Sequence, residues 1–139
     1  MRSLNVLLML LFLNQAEAMP EMYAFVSFSM PKTLLEQTLN DCVRLDIPAY
    51  LNGLYHNSMK DTALKVMKLS QKIPGLNLQI DPTAFERFGI NQVPALVVEN
   101  DKKFDVIYGN LPLLEALSRI ADSGESGLTR DAVRRLSGV

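Results

Sequence analysis

Ala95-Leu96-Val97-Val98-Glu99 and Phe104-Asp105-Val106-Ile107-Tyr108 are short runs rich in β-branched and aromatic residues, separated only by Asn100-Asp101-Lys102-Lys103. A parallel crossover needs a dozen or more residues, so this short polar link predicts an antiparallel hairpin. An apolar stripe at helical spacing follows within residues 111 to 121, through Leu113 or Leu114, Leu117 and Ile120. The resulting ββα ending constrains the fold more than any other feature, because it sets an antiparallel pair beside whatever precedes it.

Upstream, strand and helix patterns alternate. Residues 22 to 29, MYAFVSFS, predict a central strand with Tyr23, Phe25 and Ser27 on one side and Met22, Ala24, Val26 and Phe28 on the other. Ser29-Met30-Pro31 interrupts it. A helix is expected over Lys32 to Leu45, with Leu35, Leu39 and Cys42 along one face and Ser29 serving as turn or cap. Ile47 to Leu54 holds Pro48 and Gly53, so only a short strand fits there. Asn57-Ser58 can cap a second helix with Ala63, Leu64, Val66, Met67 and Ser70 inward and Lys60, Lys65 and Lys68 wet. Lys72-Ile73-Pro74-Gly75 ends it. LNLQI (residues 76 to 80) alternates as a strand. Asp81 then caps a short helix with Pro82 at its first position, closed by Gly89. The order β-α-β-α-β-α-β-β-α predicts an α/β fold in which helices flank a mixed sheet.

Composition excludes several classes. Hydrophobic residues make up 48% of the 139, enough for one cored domain, and a net charge of -1 argues against strong attraction to nucleic acid or anionic lipid. Cys42 stands alone, so neither an intramolecular disulfide nor a CxxC redox pair can form. Its place beside Leu35 and Leu39 makes it a packed structural thiol. The first eighteen residues carry Arg2, an apolar stretch from Leu4 to Leu13, and Ala16-Glu17-Ala18, the pattern of a cleavable signal peptide cut between Ala18 and Met19. The expected organisation is therefore a signal peptide at 1–18, a domain at 19–124 and a flexible or weakly helical tail at 125–139, with Ala132, Val133 and Leu136 inward. A periplasmic location follows from export and the single cysteine.

No catalytic constellation stands out. Ser29 would need a base, and the single histidine, His56, reads as a polar loop residue. Asp41, Asp46, Asp81 and Asp105 are scattered and give no metal signature. No cofactor is expected, and the chain is not read as an enzyme.

Val93-Pro94-Ala95, just before the hairpin, resembles the cis-proline loop of thioredoxin-like proteins, which lies beside the end of the first helix. The matching junction here, Phe28-Ser29-Met30-Pro31-Lys32, has no cysteine, so thiol–disulfide exchange is absent. VSFSMP at 26 to 31, QIDPTAFERFGINQVPALVV at 79 to 98 and FDVIYGN at 104 to 110 resemble the TrbC family of F-type conjugative pilus assembly proteins. The resemblance spans Tyr23 to Gly124. It implies a thioredoxin-like periplasmic accessory protein of a type IV secretion system, acting in pilus assembly with other assembly proteins, TraW among them. The alternative is a periplasmic peptide-binding chaperone without redox activity. In either case Ser29, Met30, Pro31, Val93, Pro94 and Ala95 form the candidate protein-binding surface.

Overall fold

The computed structural model describes residues 19–138, so the expected signal peptide lies outside the described residues. The described residues hold five strands and five α-helices: β1 (Glu21–Val26), α1 (Lys32–Leu45), β2 (Ala49–Leu51), α2 (Met59–Lys72), β3 (Leu78–Ile80), α3 (Pro82–Arg87), β4 (Ala95–Glu99), β5 (Phe104–Tyr108), α4 (Leu113–Ser123) and α5 (Arg130–Leu136). A 3-10 turn, Tyr55–Asn57, precedes α2. The strands form one mixed sheet in the order β3-β2-β1-β4-β5. β1 and β2 are parallel, as are β2 and β3, while β4 is antiparallel to both β1 and β5. The short 100–103 link makes the expected hairpin, pairing Ala95 with Tyr108 and Glu99 with Phe104.

Strand alternation in β1 divides two cores. Ala24 and Val26 face a large cluster with Leu35, Leu39, Cys42, Leu96, Leu117 and Ile120, contributed mainly by α1, α4 and the sheet. Phe25 faces the other way into a smaller, aromatic cluster with Phe85, Phe88 and Val97, which α3 covers. The Phe25 and Phe85 rings meet edge-on at 4.9 Å between centroids. Asp81 caps α3 by accepting from the Ala84 N–H (3.1 Å), with Pro82 in the first turn, as the sequence predicts.

Two details differ from the sequence reading, and for Ser29 the structure selects one of the two expected roles. β1 ends at Val26 because residues 27–30 close a turn, with the Met30 N–H donating to the Ser27 carbonyl (3.2 Å). Ser29 makes no cap: Pro31 precedes α1 and no side chain bonds its first-turn N–H groups, so Ser29 serves only the turn. In α2 the inward face is rotated. Thr62 is the buried residue of that helix, whereas Leu64 and Met67 are 46% and 54% exposed. The cause is local hydrogen bonding, since the Thr62 hydroxyl donates to the Ser58 carbonyl (2.7 Å) and accepts from the Tyr55 N–H (2.8 Å). A satisfied hydroxyl can be buried cheaply, and its burial turns the neighbouring apolar residues outward.

The segment after Gly124 carries α5 (Arg130–Leu136), capped by Thr129, whose hydroxyl accepts from the Ala132 N–H (3.1 Å). Leu128, Ala132 and Val133 join the large core cluster. Asp105 of β5 holds the approach to this helix by accepting from the Glu125 N–H and the Ser126 N–H, each at 2.8 Å. Gly124 leaves room for that carboxylate, because a Cβ there would meet Asp105 and lie 2.6 Å from the Ile120 carbonyl oxygen.

Candidate functional site

The β1–α1 turn and the loop before β4 converge at one end of the sheet. Ser29 and Val93 line a shallow recess of about 220 Å³ with Ser27, Asn52 and Gln92. The Ser27 and Ser29 hydroxyls share a hydrogen bond of 2.8 Å, and the Ser29 N–H donates to the Ser27 hydroxyl at 3.1 Å. The Val93–Pro94 peptide bond is cis. Pro94 and Ala95 are buried, and the Pro94 carbonyl accepts from the Gly109 N–H at 3.1 Å. Among the described residues, neither the N–H nor the carbonyl of Val93 has a backbone partner. Pro31 is exposed at the head of α1, whereas Met30 is buried and its sulfur faces the Ser27 N–H at 3.4 Å.

Met30 opens onto a different space. A cleft of about 330 Å³ lies between α1 and α2, with a floor of Phe28, Met30, Leu35 and Leu69. Its rim holds four ammonium groups, Lys32, Lys65, Lys68 and Lys72, and one carboxylate, Glu36. Lys72 bonds Glu36 at 2.7 Å. That bond is the main influence holding the Glu36 carboxyl below its ordinary range; partial burial opposes it, and Lys32 adds to it. The Lys65 ammonium lies over the Tyr55 ring at 4.2 Å and the Phe28 ring at 5.1 Å, a cation–π arrangement on two aromatic faces. The sequence reading placed Lys65 and Lys68 on the wet side of their helix and missed the cleft. The signal available was charge imbalance, with Lys60, Lys65, Lys68 and Lys72 on one helix against Asp61, in a chain of net charge -1.

Other candidate groups have structural partners. Cys42 is 2% exposed, and burial, aided by neighbouring Asp41, pushes its thiol up to about 12. Asp41 accepts from the Leu113 N–H (3.1 Å), capping α4 from α1, and pairs with Arg44 at 2.6 Å. His56 stacks on Tyr55 and lies 3.4 Å from Asp61, away from the Ser29 recess. Partial burial would raise the Asp105 carboxyl, but the Ser126 hydroxyl nearby and the N–H groups of Glu125 and Ser126 outweigh it and hold the group below its ordinary value. The Tyr23 phenol meets Glu21 and Glu99, and burial followed by these carboxylates raises it above its ordinary value. Arg87 closes that group by pairing with Glu99. Among the described residues, no three His, Cys, Asp or Glu side chains converge as metal ligands, and no helix is long and apolar enough to cross a membrane.

Comparison with known proteins bears on the whole framework from β1 to α4. The family model for a type-F conjugative transfer system pilin assembly protein matches residues 24–120. The periplasmic protein TrbC of Escherichia coli (strain K12) is 42% identical over 101 residues, 73% of this chain and 48% of that protein. The chain thus spans about half the length of the curated relative it matches. The matched stretch includes the Ser29–Val93 recess and the lysine-rimmed cleft, and by that match the chain belongs to the TrbC family of type-F conjugative transfer pilin assembly proteins.

Proposed function

We propose that this chain is a non-catalytic protein-interaction module for assembly of the F-type conjugative pilus, working in the periplasm as part of a type IV secretion system. The observation that carries this reading is the family match over residues 24–120, which includes nearly every element that builds the two concave surfaces. The periplasmic name of the Escherichia coli relative supports the location, and residues 1–18 would act as the leader, with 19–124 as the working domain. The strand order β2-β1-β4-β5 and the place of the Val93–Pro94 loop beside the β1–α1 turn support a thioredoxin-like ancestry, with β3 and α3 added at one edge and face. The turn carries Ser29 where that fold puts redox cysteines, and His56 engages Asp61 instead of Ser29, which supports a role without catalysis. A TraW-type assembly protein is the first partner to test.

Deleting the gene from its conjugative element should abolish pili in electron micrographs and lower mating frequency, and the wild-type chain supplied in trans should restore both. Normal pili in the deletion strain would overturn the reading. Fractionation of the complemented strain should place the protein in the periplasm with Met19 as its first residue. A cytoplasmic chain still beginning at Met1 would refute the location.

The N–H and carbonyl of Val93, without a backbone partner among the described residues and beside the Ser27 and Ser29 hydroxyls, favour a second reading, a peptide-binding chaperone without thiol redox activity. Extended peptides recognise such unpaired backbone groups by hydrogen bonding. Broad binding to an array of unrelated extended peptides would favour the chaperone; silence on that array, with pilus loss in the deletion strain, would favour the assembly module.

A further inference from the structure

The cleft between α1 and α2 holds more positive charge than the fold pairs with acid, although Lys65 also lies over the Tyr55 and Phe28 rings. Of its four lysines, Lys72 is neutralised by Glu36, while among the described residues no carboxylate lies within ion-pair distance of Lys32, Lys65 or Lys68. Elsewhere the basic groups are mostly answered: Arg44, Arg87, Arg119, Arg130 and Arg134 each meet an acid. Among the described residues Lys60, Lys102 and Arg135 also lack an ion pair, but the cleft is where three unanswered lysines share one concave surface with an apolar floor.

Dimensions and chemistry narrow the occupant. Lys65 and Lys68 stand one turn apart on α2, ~4.5 Å along the helix axis, and Lys32 faces them from α1. A single anionic headgroup meets the lysines of one wall, whereas carboxylates spaced along a chain meet both walls. Phe28, Met30, Leu35 and Leu69 offer a floor for an apolar side chain, and about 330 Å³ accommodates one or two such side chains. Exposed Leu64 precedes Lys68 by one helical turn and extends the apolar surface beyond the cleft. A phosphate backbone would leave this apolar floor without a partner.

We propose that the α1–α2 cleft is a docking site for an acidic peptide segment of a partner protein, with Leu or Phe anchors on the floor and Glu or Asp side chains on Lys32, Lys65 and Lys68. The site rests on the reading of the domain as an interaction module and adds the chemistry of the partner. It is separate from the Ser29–Val93 recess, since the two share no lining residue.

The test uses the exported chain and a fluorescent peptide with Leu and Phe anchors separated by Glu, followed by anisotropy. Saturable binding that weakens with salt is expected, with about tenfold loss when every Glu is replaced by Gln or when the anchors are replaced by Ser. Lys32→Glu/Lys68→Glu should also lose about tenfold or more, while Lys102→Glu/Lys103→Glu, the same charge change on the β4–β5 turn, should bind as the wild type does. Lys32 and Lys68 are exposed, so their reversal spares the Lys65–Tyr55 contact; an unchanged urea midpoint confirms folding. Three outcomes would overturn the proposal: equal loss in the two double variants, binding of anionic vesicles in preference to the peptide, or a concentration-dependent dimer that occupies the cleft and is broken by Lys32→Glu/Lys68→Glu. Each leaves the pilus-assembly reading standing, because that reading falls only on the deletion phenotype.

Discussion

Helices α1 and α2 each have 14 residues, yet they are built into the molecule in opposite ways. α1 buries Leu35, Thr38, Leu39, Cys42 and Leu45, whereas α2 buries Thr62 alone. Charged groups differ in the same sense. Asp41 of α1 caps a neighbouring helix, while Lys65 and Lys68 of α2 have no acid to answer them among the described residues. One helix is consumed by the core and the other is left facing outward, which shows that amphipathic spacing alone does not decide how deeply a helix is committed. The neighbours decide: α1 lies against the sheet and α4, and α2 touches the core through Leu69 and the adjoining Ile73.

Truncation is the strongest way to break this contrast. Leu39 is fully buried, so Leu39→Ala should cost about 2–5 kcal/mol through lost transfer energy and a cavity. Leu69 of α2 is half-buried, and Leu69→Ala should cost about half as much or less. Paired urea unfolding curves report the difference. Equal losses would mean that the two helices are equally committed and would remove the basis for the comparison.

Cys42 sharpens it on the α1 side. Cys42→Ser places a hydroxyl among Leu35, Leu39 and other apolar groups and should cost about 1–3 kcal/mol in urea unfolding. The thiol also predicts a pH effect. Its folded value, raised from 9.0 to about 12, means that burial favours the neutral form, so its contribution is complete below about pH 9 and is lost as pH rises toward about 12. Relative to Cys42→Ala, the wild type should therefore lose stability between those limits. In the folded protein iodoacetamide should label Cys42 only after unfolding; rapid labelling at pH 8 without denaturant would contradict the packing of α1.

The legible parts of this fold are those written in short-range pattern. Alternation from Met22 to Val26 marks both faces of β1, Asp81-Pro82 marks the start of α3, and the 100–103 link marks the hairpin. The parts that escaped depend on partners distant in sequence. The tail from residue 125 reads as flexible or weakly helical, and nothing local shows that Asp105 holds Glu125 and Ser126 from about twenty residues away or that Leu128 is buried. At the candidate sites, the Ser29–Val93 recess could be anticipated from a resemblance, but the burial of Met30, Pro94 and Ala95 required the packed sheet. The lysine cleft needed α1 and α2 side by side, which no local pattern encodes.

Thr62 tests why α2 is rotated. Thr62→Val preserves shape but removes the acceptor of the Tyr55 N–H and the donor to the Ser58 carbonyl, and should cost about 1–2 kcal/mol. Hydrogen exchange should speed up at the Tyr55 amide before it does in β1 or β4. An unchanged exchange rate with unchanged stability would mean that the hydroxyl does not set the helix orientation.

The smallest effect belongs to Met67, where the two registers of α2 make opposite forecasts. With Met67 inward, as spacing alone predicts, Met67→Gln would bury an amide without partners and cost a few kcal/mol. The structure leaves Met67 54% exposed, and Gln and Met have similar helix propensities, so neither packing nor backbone preference changes much. Met67→Gln should shift stability by less than about 0.5 kcal/mol. Its urea midpoint is best read beside that of Val66→Gln on the same turn, because Val66 is half-buried and its loss should be larger. A larger loss at Met67 than at Val66 would restore the inward register, close the outer face of α2, and make α1 and α2 alike.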